Sequence, residues 1–134
     1  MSGEAEFEVV REVWGAFTRE DDEAAIARIH PDAVIVPFGA ALEGKQYVGH
    51  DQILAWMTDD IRVNWEWFHT DPREFRKVGD RLLVYGWWRA RGHDSGVELE
   101  VPATWVVEVR DGKIAFWRTF TDRDEAHRFV GLQE

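Results

Sequence analysis

The run GKIAFWRTFTD, residues 112–122, sets one arginine and one threonine among aromatic and aliphatic residues. Side chains alternate along a strand, so Arg118 points to one face and Thr119 to the other, the face of Trp117. Thr119 can offer a hydroxyl hydrogen bond, to a ligand or to the wall around it. It does not titrate near neutral pH and cannot serve as a general acid or base. Arg118 is expected in an ion pair or in a contact between subunits. Proton transfer would need other groups. His69 with Asp71, in WFHTDP, are the only catalytic candidates, and a turn before Pro72 explains the same two residues.

The five histidines, His30, His50, His69, His93 and His127, form no H-x-x-x-H pair, so no metal site is expected. His50, in VGHDQ, is read as a capping or surface residue, and His93 with Asp94 as a hairpin tip. Glu20, Asp21 and Asp22 read as an N-cap and first-turn negative charge. Asp59 and Asp60 end a helix against its dipole, which points to a partner such as Arg62 or to a polar rim. Eight tryptophans in 134 residues are more than core filling requires. Each is a rigid apolar body with one N–H that wants a partner when buried.

Composition removes several classes of function. Sixteen Lys and Arg against twenty-six Asp and Glu leave a net charge of −10, which repels a polyphosphate, so nucleic acid is not an expected partner. The absence of cysteine excludes disulfides, thiolate zinc sites and cysteine nucleophiles. The start MSGEAEFEVV has acids where a secretory signal needs a basic start and an apolar run. No stretch approaches the ~20 apolar residues of a membrane span. A cytoplasmic protein is expected, with neither a membrane partner nor a cofactor.

These residues are carried on helices first and strands second. Phe7, Val10, Trp14 and Phe17 fall at helical spacing, predicting a helix from about Ala5 to Arg19. A short helix through AAIARI is expected to stop at Pro31. DAVIVPFG reads as a strand, and a third helix runs from about His50 through DQILAWMTD. EFRKVGDRLLVYGWWRARG, SGVELEVPATWVVEVRDG and GKIAFWRTFTD then read as an antiparallel meander joined by GD, HDSG and DG turns. Asp122, followed by Glu125, starts a short C-terminal helix ended by Gly131. In VELEVPATWVVEV the odd positions from Val97 to Val109 are all apolar and define the core face, Trp105 among them. LLVYGWW is apolar on both faces, so something must cover the second face, and a homodimer contact is the economical answer. Pro102 lacks a ladder donor and is expected at an edge or bulge. One α+β domain accounts for residues 1–134.

The order of helix, acid-capped helix, strand, G-H-D-Q-I helix, G-D … S-G … R-D-G-K-I meander and D-x-x-E-A helix resembles the SnoaL-like branch of the nuclear-transport-factor-like superfamily. The resemblance runs from about Phe7 to Leu132 and is most specific in SGVELEVPATWVVEVRDGKIAFWRTFTDRDEAHRFVGL. It implies a cone-shaped α+β barrel, with N-terminal helices packed on a strongly curved antiparallel sheet around an apolar cavity. It also implies a homodimer through the convex sheet face. Ketosteroid isomerases of this superfamily use a strand aspartate, a helix tyrosine and an aspartic acid, and those places align with Pro37, with Val13 beside Trp14, and with Trp105. The Asp-Arg-Asp relay of limonene epoxide hydrolases aligns with Trp88, Gly86 and Thr119, and its water-holding pair with Ile35 and Pro37. The acid of SnoaL-type cyclases falls at or next to Thr119. None of these residues can take the aligned role.

What the resemblance leaves is a pocket lined by Trp14, Phe17, Ile35, Pro37, Trp56, Trp88, Trp105, Trp117 and Thr119. The leading expectation is binding of a small apolar or aromatic molecule there. The alternatives are an isomerase, cyclase or hydratase with an unfamiliar acid–base group, and a dimeric interaction module whose pocket has no function.

Overall fold

The computed structural model describes residues 3–38 and 44–132. Helix α1 (Glu4–Thr18) buries Phe7, Val10, Val13, Trp14 and Phe17 along one stripe, the spacing that an amphipathic helix on a sheet requires. Phe7 stacks on Phe75 at 4.6 Å, and Glu6 pairs with Lys77. Helix α2 (Asp22–Ala27) is capped by Asp21, whose carboxylate accepts the Ala24 N–H at 3.2 Å, so the acid run does cap. The helix stops before Pro31, which lies inside strand β1 (Ile29–Val36) and not at a helix end. A proline is tolerated there because the pairing of β1 with its neighbour β6 is interrupted between Ile29 and Val34.

Strand β2 (Tyr47–Val48) leads into α3 (Gly49–Trp56), which opens into a single π turn over Met57–Ile61 and closes as α4 (Arg62–Asn64). The remaining strands are β3 (Trp65–Val78), β4 (Arg81–Gly92), β5 (Glu98–Arg110) and β6 (Lys113–Phe120), followed by α5 (Arg123–Phe129). They form one six-stranded sheet in the order β2-β1-β6-β5-β4-β3. The expected all-antiparallel sheet is instead mixed, because β1 and β6 run parallel. The chain leaves the sheet through α3 after β1, re-enters at the far edge, and meanders back to lie beside β1 in the same direction. The expected barrel does not close, since β2 and β3 remain edges.

The turn expected before Pro72 does not exist. Strand β3 runs through Pro72, which pairs with Gly86 next to a register shift between Pro72 and Glu74. A Cβ on Gly86 would stand 2.0 Å from the Asp71 carbonyl oxygen, so only glycine admits this backbone approach. Pro102 sits where β6 has already ended, leaving β5 with one free side, as an edge proline should.

Part of the second face has an intramolecular cover. Helix α5 packs Ala126 and Phe129 on Leu83, Val106, Phe116 and Phe120. Its N-cap Asp122 accepts the Asp124 N–H at 2.9 Å, and His127 Nε2 lies 2.8 Å from the Tyr85 hydroxyl. Arg118 joins this layer by stacking its guanidinium on Phe120 and Phe129, at 4.6 and 5.1 Å from the ring centres.

Arg62 does not pair with Asp59 or Asp60. It clasps Asp22 in a bidentate pair at 2.6 and 2.9 Å, tying α4 to the start of α2. The Arg62 hydrogen bond holds the Asp22 carboxyl below its usual range, and the Lys77 hydrogen bond does the same for Glu6.

Two outcomes follow. Gly86→Ala should lower the free energy of unfolding in a denaturant titration by roughly 2–3 kcal/mol, whereas Gly15→Ala in mid-α1, where the new Cβ meets only the flexible end of Arg19 at 3.4 Å, should raise it by about 0.5–1 kcal/mol. A carboxyl with a lowered folded pKa stabilises above its unfolded pKa and loses that contribution as pH falls through the folded value. Asp22→Asn should therefore cost at most about 1 kcal/mol at neutral pH, given the partial exposure of the pair, and the gap in thermal stability should close as pH falls below about 4.

Candidate functional site

The concave face of the sheet and α1, α3 and the π turn enclose a cavity of about 720 Å³. Its shape follows from strand parity. Strand β6 turns Trp117 and Thr119 inward, β5 turns Leu99 and Trp105, β4 turns Trp88, and β3 turns Phe68 and Thr70.

Aromatic rings wall it in two groups. Around Trp117 stand Trp14 at 5.9 Å and 82°, Phe17 at 6.2 Å and 76°, and Trp56 at 6.2 Å and 68°. Trp105 lies 4.6 Å from Trp14, and Tyr47 stacks on Trp56 at 5.9 Å. Around Trp88 stand Phe68 at 5.3 Å, Trp65 at 6.2 Å and Phe38 at 6.3 Å. Most of these contacts are edge-to-face or tilted, the arrangement that the ring quadrupole favours. The rings brace one another as a wall, and the space between the groups stays open.

Of the nine residues expected around a pocket, Trp14, Phe17, Pro37, Trp56, Trp88, Trp105, Trp117 and Thr119 line this cavity. Ile35 does not: it is fully buried in the core. His69 and Asp71 lie on the opposite face of β3 and form no pair. The His69 ring packs on Trp67 at 4.9 Å, and Asp71 accepts from Arg73 at 2.8 Å and faces Arg89 at 3.8 Å. His50 donates from Nε2 to the Ile29 carbonyl at 2.7 Å, pinning α3 to the start of β1.

The lining also includes residues that the sequence reading missed. Phe68 and Thr70 were hidden by placing a turn before Pro72, and Trp65, just ahead of that stretch, was assigned to no element. Leu99 was already placed on the core face and needed only to be carried to the cavity mouth. Asp60, at the π turn, lines the rim and accepts from the Asn64 amide at 3.0 Å, which makes the polar-rim reading of this acid the right one. Asp60 and Lys45 are exposed charges on the lining, and the other polar contributors are Thr18, Tyr47, Thr70, Thr119 and the indole N–H groups. Trp14 Nε1 and Trp88 Nε1 are buried and have no hydrogen-bond partner among the described residues. Among the same residues no cluster of three His, Asp or Glu could hold a metal ion, and no helix is long and apolar enough to cross a membrane.

Several solved structures share this architecture. TerC co-crystallised with polyporic acid superposes with a TM-score of 0.76 at 22% identity, over 94% of this chain and 98% of that one. An NTF2-like protein of unknown function from Burkholderia pseudomallei gives 0.74 at 24% identity, over 98% and 99%. A Mycobacterium tuberculosis protein in complex with estradiol-17β-hemisuccinate gives 0.73 at 20% identity, over 92% and 97%. Likeness at these identities establishes the fold. No curated protein matches the sequence. The family model for the SnoaL-like domain matches residues 10–117, the segment that carries α1 from Val10 onward, every strand of the sheet up to Trp117 and most of the cavity wall. The chain belongs to the SnoaL-like domain family.

Proposed function

We propose that this protein binds a small, flat, predominantly apolar or aromatic molecule in the cavity between its two groups of aromatic rings. The observation that carries the reading is the hollow itself: about 720 Å³ that rigid indoles surround without filling, within the size range of small-molecule sites. Its lining is mostly aromatic, with a few hydroxyl and N–H groups to fix orientation, as such sites commonly are. Proteins of the same fold crystallised with polyporic acid and with estradiol-17β-hemisuccinate add support. The alternative of an isomerase, cyclase or hydratase would have to draw on Asp60, the one carboxylate of the lining among the described residues. A module with no functional pocket accords less well with an open interior.

We also propose that two copies pair through the convex sheet face beside α5. There Trp67 and Trp87 are half-buried, and the ion pairs Arg89–Glu100 at 2.7 Å and Arg91–Glu98 at 3.2 Å run across β4 and β5. Sedimentation at micromolar concentration should give twice the mass of the chain, and Trp87→Glu should give the single-chain mass; a monomeric parent protein would contradict the pairing.

For the ligand reading, titration with a panel of planar aromatic compounds should change tryptophan fluorescence saturably for at least one of them. Leu99→Trp, placed at the mouth where Leu99 is 39% exposed, should abolish that response and leave thermal stability unchanged. Silence across a broad panel would contradict the reading.

A further inference from the structure

We propose that the cavity selects molecules carrying a hydrogen-bond acceptor at each end of an elongated apolar body, the two acceptors being received by the indole N–H groups of Trp14 and Trp88. This rests on the cavity being a ligand site. Trp14 is 2% exposed and Trp88 7%, both line the cavity, and neither Nε1 meets a hydrogen-bond partner among the described residues. Native proteins leave few buried polar groups unmet, and each such group calls for an explanation. Two of them on one cavity share one explanation if the partner arrives with the ligand.

The chemistry of that partner is restricted. An indole N–H donates and cannot accept, so a hydroxyl or amine proton of the ligand is of no use to it. An acceptor lone pair is required, on a carbonyl, carboxylate, ether or hydroxyl oxygen or on a ring nitrogen. The restriction applies twice, at separated points. Trp88 pairs with Val101 on β5, and Trp14 packs on Trp105, further along the same strand. The interval from 101 to 105 corresponds to about 13 Å at ~3.3 Å per residue. One donor therefore belongs to the Trp88 group of rings and the other to the Trp117 group, with the hollow between them. As the wall stands, each N–H is closed off even from water. Binding on this proposal therefore requires each indole to turn until its N–H meets the acceptor, and the unmet donor is satisfied on binding and not on folding.

The test uses three probes of one shape: biphenyl with an ethyl group at both para ends, with one ethyl and one acetyl, and with two acetyl groups. Isothermal titration of the full chain should show affinity rising roughly tenfold with each carbonyl. Trp14→Phe and Trp88→Phe keep a ring and remove the donor. Each should abolish the gain from one carbonyl, measured against the same variant's affinity for the diethyl probe as a double-mutant cycle. A second readout needs no variant to fold: in the unaltered protein the indole N–H resonances of Trp14 and Trp88 should move downfield with the diacetyl probe and stay in place with the diethyl probe. Equal affinities for the three probes with stationary indole resonances would overturn this inference and leave the ligand reading intact. Failure of all three probes to bind, while other planar aromatic compounds do bind, would overturn this inference alone; silence of the wider aromatic panel as well would overturn the ligand reading with it.

Discussion

A ring that rests edge-on against another ring cannot also occupy the space in front of it, and this constraint organises the interior. Trp117 has Trp14, Phe17 and Trp56 against it at 68° to 82°. Each of those rings comes from an element with other commitments: α1 is fixed on β3 through Phe7 and Phe75, and α3 is pinned to β1 through His50. Aliphatic side chains in the same places would collapse inward, because they have more rotamers and no preferred angle of contact. Indoles hold their spacing. The apolar surface that folding would otherwise bury is left facing a hollow, and this is the disposition a ligand can exploit.

The hollow also needs a sheet that bends around it. The close approach of Gly86 to the Asp71 carbonyl, with Pro72 and the adjacent register shift, places a corner in β3 and β4, the strands that carry Phe68, Thr70 and Trp88 inward. Bulges and strand glycines produce such corners. This irregularity lies between Trp88 and Val84, the β4 residue that pairs with Trp105, and so between the two groups of rings. On the outer side of the same sheet, α5 covers the apolar residues of β4, β5 and β6, so the chain buries both faces of the sheet over part of its width.

How much of this could be read from the sequence depended on the range of the interaction involved. The facing of Trp105, Trp117 and Thr119 came from strict alternation in β5 and β6, a local pattern with one solution. The family likeness in the C-terminal segment supplied the architecture. Pro72 was misread because its place in a strand depends on Gly86, a partner that only the folded register brings opposite it. Phe68 and Thr70 were lost with it. The cover on the second face was legible in Ala126 and Phe129 of DEAHRFV, but the two-faced apolar strand suggested a second subunit first. The state of the Trp14 and Trp88 N–H groups is set by rotamers and neighbours from several elements, and no periodicity reports it.

The claim on which the account turns is that the space between the two ring groups is empty of protein and apolar. Diffraction from a crystal pressurised with xenon tests it directly, since xenon enters dry apolar cavities and is located by its own scattering. The account predicts a xenon peak between Trp88 and Trp117 with both indoles in place. A map with no peak there, and with the ring of Trp56 or Trp117 turned into the space, would contradict it.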